Sequence, residues 1–200
     1  MSESAPITPF GWNQGLQGRA LFLIAVAFST FQIIVAAYHP WSSQVVRAVH
    51  VGFLLLLTFI LFPNWLPRRK GPVLAWMVGL AAFALAFYHW IFEAELIQRS
   101  GDPTQTDIIV GTITLVLVFE AARRMMGPAL PLICAGFFAY AAFGEHLPGD
   151  LAHRGYGFDQ LIEHLAFGTE GIYGVPTYVS STYIFLFILF GAFLEQAGMI

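Results

Sequence analysis

Histidines and acidic residues concentrate in the polar stretch 144–170, and their side chains are of the types that bind metals. The candidate ligands among them are Glu145, His146, Asp150, His153, Glu163 and His164. No two of these histidines have the i, i+4 spacing that puts both imidazoles of a zinc protease on one helix face. A polar loop between membrane helices commonly has this composition, so we predict that there is no metal site.

A second candidate chemistry is nucleophilic, because Ser180, Ser181 and Thr182 follow His164 along the chain. A serine nucleophile requires a positioned base and donors for the oxyanion. The sequence has no G-x-S-x-G signature, and hydroxyl side chains near the end of a membrane helix commonly bond to backbone carbonyls. We therefore predict that the protein is not an enzyme and has no catalytic residue.

Ionisable residues inside apolar runs are a third candidate. Glu120 precedes Arg123 and Arg124 by three and four residues, a spacing that puts them on one helix face as a local ion pair. Arg47 and His50 are one helical turn apart, and the Arg47 side chain is long enough to reach a membrane surface. Structural roles are favoured for both groups. A relay role stays open for Glu120, because ionisable groups in membrane helices are often functional.

The stretch 168–183, GTEGIYGVPTYVSSTY, places glycines and a proline at the start of an apolar run, with hydroxyl side chains directly after them. This pattern suits an interrupted membrane helix, whose exposed N–H and C=O groups bind anions and cations in transporters. A plain junction from loop to helix, capped by Thr177 or Ser180, has the same composition. The residues alone favour neither interpretation.

These candidates lie in a chain of 200 residues that is 58% hydrophobic and 10% charged, with a mean hydropathy of +0.70. Soluble domains carry roughly 25% charged residues, so this chain cannot cover itself with polar surface and must lie partly in lipid. The net charge of −3 gives no reason to expect nucleic acid binding. The single cysteine, Cys134, cannot form an internal disulfide.

Six apolar runs are long enough, or nearly so, for the roughly 20 residues that cross a bilayer as a helix. They are Ala20–Tyr38, Val45–Phe62, Val73–Phe92, Ile108–Met126, Pro128–Phe143 and Tyr178–Ile200. Backbone polar groups in lipid must be bonded internally, so the runs are helices. We predict an all-α, polytopic integral membrane protein with about six transmembrane helices. Asp107 is the expected N-terminal cap of the fourth, and the first run is too long for a cleaved signal peptide.

Basic residues between the runs predict the orientation, because lysine and arginine prefer the cytoplasmic side. Arg68, Arg69 and Lys70 lie between the second and third runs, and Arg123 and Arg124 lie between the fourth and fifth. Both turns are on one side if the runs alternate. We therefore predict that these five residues are topology anchors and that the N-terminus is cytoplasmic.

The opposite side carries most of the acidic residues and one further helix. Apolar residues recur at helical spacing from Phe158 to Ala166, which predicts a short amphipathic helix lying at the outer membrane interface. We expect a partner protein to dock on the acidic residues of this side, although a solvated face without a partner has the same composition. The acidic residues are Glu93, Glu95, Asp102, Asp107, Asp150, Asp159 and Glu163.

The region from Glu120 to Gly198 also resembles a known family. The matching pieces are EAxRR at Glu120–Arg124, GxALP at Gly127–Pro131, LPG at Leu147–Gly149, LAHRGY at Leu151–Tyr156, TEGIYGVP at Thr169–Pro176 and FLFILFGAFLEQAG at Phe185–Gly198. In this order and spacing they are similar to the fused membrane permeases of tripartite ATP-independent periplasmic (TRAP) transporters of the TAXI subtype. Residues 1–119 match the family mainly in layout, as four spans.

The resemblance implies a multi-pass permease of the bacterial inner membrane that imports organic acids by symport with an ion, usually sodium. A periplasmic solute-binding protein would deliver the solute, and no cofactor is implied besides the transported ion. Residues 1–126 would be a small-subunit-like scaffold of four helices. Residues 127–200 would begin a large-subunit-like transport domain that moves like an elevator. Gly171, Gly174, Pro176, Ser180 and Ser181 are the matching positions where we expect contact with substrate or ions.

Fused members of this family are much longer than this chain. We expect most of the transport domain to lie outside this sequence, which would be a fragment, a truncated product or one part of a split system. We do not expect it to transport alone. The alternative function is a non-transporting membrane scaffold or assembly module of a larger permease. Neither the solute nor the choice between sodium and protons follows from these residues.

Overall fold

The computed structural model describes residues 15–62 and 71–199, and within them all regular structure is helical, which confirms the all-α fold class. The helices are α1 (Gly15–Tyr38), α2 (Ser43–Leu61), α3 (Gly71–Gln98), α4 (Gln105–Met126), α5 (Ala129–Phe143), α6 (Phe158–Ala166), α7 (Val175–Val179) and α8 (Phe185–Gln196). A π-helical segment, Ser180–Ile184, joins α7 to α8. Short 3₁₀ turns occupy Gly144–His146 and Gly149–Leu151.

Five helical stretches of the described residues are long and apolar enough to cross a membrane. They are Gly15–Tyr38, Ser43–Leu61, Val73–Gln98, Ala129–His146 and Val175–Gln196. These correspond to five of the six predicted runs. The remaining run, Ile108–Met126, is helical within α4, but α4 carries four charged residues and is not among the five stretches. A sixth crossing at α4 and the direction of every crossing remain predictions.

Glycine lets α2 and α3 approach each other closely. A Cβ added to Gly52 would lie 2.6 Å from the Cβ of Ala86, and one added to Gly79 would lie 3.1 Å from the carbonyl oxygen of Leu56. Lipid is as apolar as the side chains, so membrane helices associate through close packing at small residues. The α2–α3 contact is the most extensive one between helices of the described residues.

The buried apolar cluster lies where α2, α3 and α4 meet. Its buried members are Leu55, Phe59, Ala82 and Ala121, and Val51, Val78, Leu117 and Val118 pack against them. Phe59 is completely buried. These three helices therefore share one core, whatever surrounds them.

A polar cluster at Asp107 joins the end of α3 to the start of α4. The N-cap of α4 is Thr104, which corrects the prediction that Asp107 is the cap. Asp107 is the third residue of a capping box and accepts hydrogen bonds from the Thr104 N–H at 2.8 Å and from the Thr104 hydroxyl at 2.6 Å. The Tyr88 hydroxyl and the Arg99 guanidinium also donate to it, the latter at 3.3 Å. A capping box satisfies free N–H groups at a helix start, and here it is extended by both neighbours.

The predicted amphipathic helix exists as α6, and the middle and end of its apolar face are buried while Phe158 at its start is exposed. Ile162 and Ala166 are buried. A Cβ added to Gly111 of α4 would lie 2.6 Å from the Cγ2 of Ile162 and 3.1 Å from the Cβ of Ala166. Part of the apolar face of α6 therefore packs on α4, and the position of this helix at the outer membrane interface remains a prediction.

Two compact units make up the described residues. One contains α1 and α8, which touch where the Phe28 and Phe185 rings lie 4.6 Å apart. The other extends from Trp41 to Ser181 and holds all the site geometry given below. The predicted boundary between residues 126 and 127 lies inside this second unit. The subunit assignment on either side of it remains a prediction.

α5 differs from the other long helices of the second unit because none of its residues is buried. Pro128 occupies its N-cap position, just before the first helical residue. Cys134, in the middle of the helix, is exposed. The apolar surface of α5 is therefore free for lipid or for another protein as far as the described residues show.

Candidate functional site

Arg47 connects the start of α2 to the glycine-containing stretch before α7. Its guanidinium donates to the Ser43 hydroxyl at 3.0 and 3.1 Å and to the Tyr173 carbonyl at 2.6 Å. The guanidinium carbon also lies 4.9 Å from the centre of the Tyr178 ring. Hydrogen bonds from a charged donor are stronger than neutral ones. The structure thus gives Arg47 a structural role through this cross-link, and its position relative to a membrane surface remains a prediction.

His50, one turn deeper in α2, lies against the π-helical segment. Its Nε2 is 3.1 Å from the hydroxyl oxygen of Ser180, and the His50 side chain is 1% exposed. The neighbouring Ser181 hydroxyl donates to the Tyr178 carbonyl at 3.0 Å. π-helical segments are frequent at functional sites. Two side chains of α2 therefore bond to the two ends of residues 173–180, Arg47 at Tyr173 and His50 at Ser180.

Glycine is required at two of the predicted site positions for steric reasons. A Cβ added to Gly171 would lie 2.2 Å from the carbonyl oxygen of Leu165, which accepts a hydrogen bond from the Ile172 N–H at 2.8 Å. A Cβ added to Gly174 would lie 3.0 Å from the carbonyl oxygen of Gly171. No side chain fits at Gly171 without moving this turn. The turn is therefore built for close backbone contact.

The five predicted site positions lie in the turn before α7, in α7 and at the start of the π-helical segment. Gly174 is the N-cap of α7, and Pro176 lies in its first turn, where a missing N–H costs nothing. Thr177 is not the cap, because its hydroxyl donates back to the Ile172 carbonyl. Ser180 lies at the other end of α7. The junction is thus neither of the two predicted forms, since the helix continues from α7 into α8 through a π-helical segment.

Ser180 has an imidazole partner, which is His50 and not His164, the histidine considered from the sequence. A serine–histidine pair is the minimum of a nucleophilic site. The backbone N–H of Ser180 is already bonded to the carbonyls of Pro176 and Thr177, so it is not free to stabilise an oxyanion. The pair is therefore suited to holding helices together or to binding a polar ligand more than to hydrolysis.

The candidate metal ligands separate in the structure. His153 bonds through Nδ1 to the Arg154 carbonyl at 2.7 Å and through Nε2 to the Tyr140 carbonyl at 3.1 Å. Glu163 accepts a hydrogen bond from the Gly101 N–H. Within residues 15–62 and 71–199, no three His, Cys, Asp or Glu side chains come together as metal ligands.

The predicted ion pair at Glu120 is confirmed, and one of its arginines also contacts the end of α2. Glu120 accepts hydrogen bonds from Arg123 at 2.7 and 2.8 Å and from Arg124 at 2.7 Å. Arg124 also donates to the Phe62 carbonyl at 3.2 Å and lies 4.6 Å from the centre of the Phe59 ring. Its side chain is 7% exposed, against 38% for Arg123. Arg124 therefore fastens α4 to the end of α2.

The other predicted topology anchors, Arg68, Arg69 and Lys70, lie outside the described residues. Arg123 and Arg124 have the positions given above, which do not reveal the side of a membrane. The role of these five residues as anchors remains a prediction.

The acidic residues expected to meet a partner protein do not all face solvent. Asp107 is 1% exposed, which removes it from any docking surface. Burial alone would raise its pKa, but hydrogen bonds from Thr104 and Tyr88 and the charge of Arg99 outweigh burial and lower the pKa below 3.8. Glu93 and Glu163 are partly buried and have internal donors. The exposed ones are Glu95, Asp102, Asp150 and Asp159.

Two residues near the site were not singled out by the sequence. Tyr173 is 2% exposed, and its ring lies 4.6 Å from that of His89 in an edge-on contact. Burial raises the pKa of Tyr173 above its usual range. His89 is 3% exposed and stacks on Phe167 at 5.1 Å. A histidine in an apolar run is a visible signal, but its contacts with Phe167 and Tyr173 are far away along the chain, and no local spacing indicates them.

Comparison of this chain with protein-family models, with curated protein sequences and with solved structures finds no significant match.

Proposed function

We propose that this chain is a membrane component of a binding-protein-dependent secondary transporter that imports organic acids by using an ion gradient. The main support is the ordered series of motifs between Glu120 and Gly198, which resembles TRAP-type fused permeases. Five apolar helical stretches of membrane-spanning length are compatible with this function. The bacterial inner membrane, a periplasmic solute-binding protein and the remainder of a larger permease domain are parts of the same proposal.

The site supports the proposal at the stretch 171–181. Transporters use backbone and hydroxyl groups at irregular points of a membrane helix to replace the hydration of a solute or ion. The helix from α7 to α8 is not broken, but its backbone bonding is irregular at the π-helical segment. Here the π-helical segment, the hydroxyls of Ser180 and Ser181 and the tight turn at Gly171 lie in one continuous stretch. Arg47 and His50 hold this stretch in place from α2.

Uptake measurements in cells test the function. The gene region encoding this chain is deleted in frame, and uptake of labelled organic acids is measured with the matching solute-binding protein and sodium present. We expect uptake to be lost and to return with the intact gene. Arg47→Met and His50→Ala should lower uptake strongly at equal membrane abundance, whereas the exposed control His146→Ala should not. Unchanged uptake in the deletion strain would contradict the proposal.

A non-transporting scaffold or assembly module is the second candidate, and the surface of α5 favours it. This apolar helix buries none of its residues within the described part of the chain, and such a surface suits contact with a larger permease as well as with lipid. A scaffold would copurify stably with a larger permease, and Arg47→Met would leave the affinity for solute unchanged. Solute binding to the purified assembly separates the two candidates.

Reporter fusions test the proposed orientation independently. Reporters placed after Arg69 and after Arg124 should both give a cytoplasmic signal, since both basic turns belong to one side in this proposal. Signals from opposite sides would contradict the membrane topology that the transporter requires.

A further inference from the structure

A large pocket in the second unit is not part of the stretch 171–181. It lies between the start of α2, the second half of α3, α6 and the loop that follows α6. Its volume is about 1150 Å³, slightly above the roughly 300–1,000 Å³ of pockets that hold small molecules. The pocket is large enough for a small molecule, and its lining indicates which kind.

The lining includes a buried histidine without a hydrogen bond. His89 is 3% exposed and lines the pocket, and neither of its ring nitrogens has a regular hydrogen-bond partner among the described residues. The backbone of Ala166 lies beside the ring, and a bond to it would occupy only one of the two ring nitrogens. A buried polar group without a hydrogen bond is destabilising. Such a group in a pocket indicates a ligand that supplies the missing hydrogen bond.

The charges of the lining are mainly negative. Glu93 and Glu163 line the pocket together with one cationic residue, Arg154. Glu93 accepts a hydrogen bond from the Ser42 hydroxyl, and Glu163 accepts one from the Gly101 N–H. A carboxylate has room for about four hydrogen bonds, so each retains capacity to accept more. Both side chains are held in place by their existing bonds, which makes them preorganised acceptors.

Apolar and aromatic side chains form the rest of the wall. Leu96, Leu161, Tyr156 and Phe167 line the pocket, and Phe167 stacks on His89. An alkyl chain packs favourably on these side chains, and a cation is attracted to the faces of aromatic rings. An organic acid would be repelled by the two carboxylates. The lining therefore does not suit the solutes of the proposed transporter.

We propose that this pocket binds a small organic ammonium ion. The carboxylates of Glu93 on α3 and Glu163 on α6 attract the ammonium charge, and an ammonium N–H group donates to a ring nitrogen of His89, while the alkyl part packs on Leu161 and Phe167. The site is separate from the stretch 171–181 and does not depend on the proposed transport function. The described side chains do not converge as a set of three or more metal ligands, which favours an organic cation over a metal ion.

Binding is tested with three probes of equal chain length on the purified full chain in detergent. They are n-butylammonium, n-butyrate and 1-butanol, measured by isothermal titration calorimetry and by thermal unfolding. We expect saturable binding and a raised melting temperature for n-butylammonium alone. Similar responses to all three probes, or no response to n-butylammonium, would overturn the proposal.

Variants locate the binding in this pocket. Glu93→Gln and Glu163→Gln keep the shape and the internal hydrogen bonds, so we expect each to fold and to weaken n-butylammonium binding by about tenfold. Glu95→Gln is the matched control, because Glu95 lies on the same helix but does not line the pocket. We expect unchanged binding for it. Equal affinity of all three variants and the original chain would sink the proposal. Organic-acid uptake in cells distinguishes this outcome from failure of the transport function.

Discussion

α2 and α5 are both apolar helices of the same compact unit, yet their surroundings are opposite. α2 contains Arg47 and His50 and buries eleven residues, whereas α5 has no charged residue and buries none. The more apolar helix is thus the more exposed one. In water this would be contradictory, but in lipid apolar character alone gives a helix no reason to enter the protein interior.

The difference shows what selects helix contacts in this chain. α2 is held by the close approach at Gly52, by polar bonds from Arg47 and His50, and by Arg124 at its end. α5 also contains small residues, but a Cβ added to its Gly136 would meet nothing within 4 Å, and the Tyr140 hydroxyl bonds to the Leu151 carbonyl in the loop after α5 and not to another helix. Close approach at glycine and polar bonds between helices, rather than hydrophobicity, therefore distinguish α2 from α5.

The largest expected effect on stability is at Asp107, which is buried at the start of the packed helix α4. Asp107→Ala removes four hydrogen bonds accepted from Thr104, Tyr88 and Arg99 and leaves the Arg99 charge without this partner. We expect a loss of about 2–4 kcal/mol in the free energy of unfolding, measured by chemical unfolding in detergent. The exposed control Asp102→Ala should change it by less than about 0.5 kcal/mol. Equal effects would show that the cluster does not stabilise the α3–α4 connection.

The same residue predicts a dependence on pH. The pKa of Asp107 is lowered in the folded protein from 3.8, so its contribution is present above pH 3.8 and is lost as the pH falls through the lowered value. Compared with Asp107→Asn, the original chain should be more stable by a constant amount between about pH 5 and 8. The advantage should shrink on further acidification. A difference that grows in acid would contradict the assigned hydrogen bonds.

A smaller effect on stability is expected when one glycine of α2 and one of α5 are each replaced by alanine. Alanine is favoured over glycine inside helices by about 1 kcal/mol. Gly52→Ala should nevertheless destabilise the protein by about 1–3 kcal/mol, because the new Cβ would lie 2.6 Å from that of Ala86. Gly136→Ala in α5 should be neutral or stabilising. Thermal unfolding of both variants measures the difference. Equal destabilisation by the two substitutions would contradict the proposed difference in packing between α2 and α5.

Substitution of Arg47 or His50 in α2 should have a moderate effect on stability, confined to the segment that these side chains contact. Arg47→Met keeps the length of the side chain and removes its donors, so we expect amide hydrogen exchange in residues 172–180 to accelerate by about tenfold. Arg154→Met serves as the exposed control. A double-mutant cycle of His50→Ala and Ser180→Ala should give a coupling of about 0.5–1.5 kcal/mol. Zero coupling would show that the 3.1 Å contact contributes nothing to stability.

The smallest effect on stability is expected at Cys134 of α5. This cysteine is exposed, so Cys134→Ser should change the free energy of unfolding by less than about 0.5 kcal/mol. The thiol should react with a membrane-permeable maleimide in the folded protein. A cysteine placed at Ala48 of α2 by Ala48→Cys, in the Cys134→Ser background, should react only after unfolding, because Ala48 is fully buried. Protection of Cys134 would mean that lipid, detergent or another protein covers this part of α5, because apolar surroundings disfavour the reactive thiolate.

Local patterns predicted the helices well, because run length and turn residues determine where a membrane helix begins and ends. α2, α4 and α5 follow the predicted runs within a few residues. The ion pair of Glu120 was also predictable from spacing alone, since its partners lie on the same turn of helix.

Contacts across long stretches of chain were not predictable. The bonds of Arg47 to the Tyr173 carbonyl and of His50 to Ser180 join residues that are 126 and 130 positions apart, and no local period encodes such pairs. The burial of Asp107 was missed for the same reason, because Tyr88 approaches it from another helix. The π-helical segment depends on backbone bonding that residue types do not specify.

The unequal burial of two adjacent arginines affects how membrane orientation is measured in this protein. Removing Arg124 deletes a charge, and it also removes a hydrogen bond to the Phe62 carbonyl and a contact with the Phe59 ring. A changed reporter signal in such a variant would therefore result either from the lost charge or from misfolding, and the two causes could not be separated. Arg123 is the cleaner position, because Arg123→Gln subtracts the charge while Arg124 continues to clamp the two helices. Charge-deletion mapping of the chain should therefore begin at residue 123.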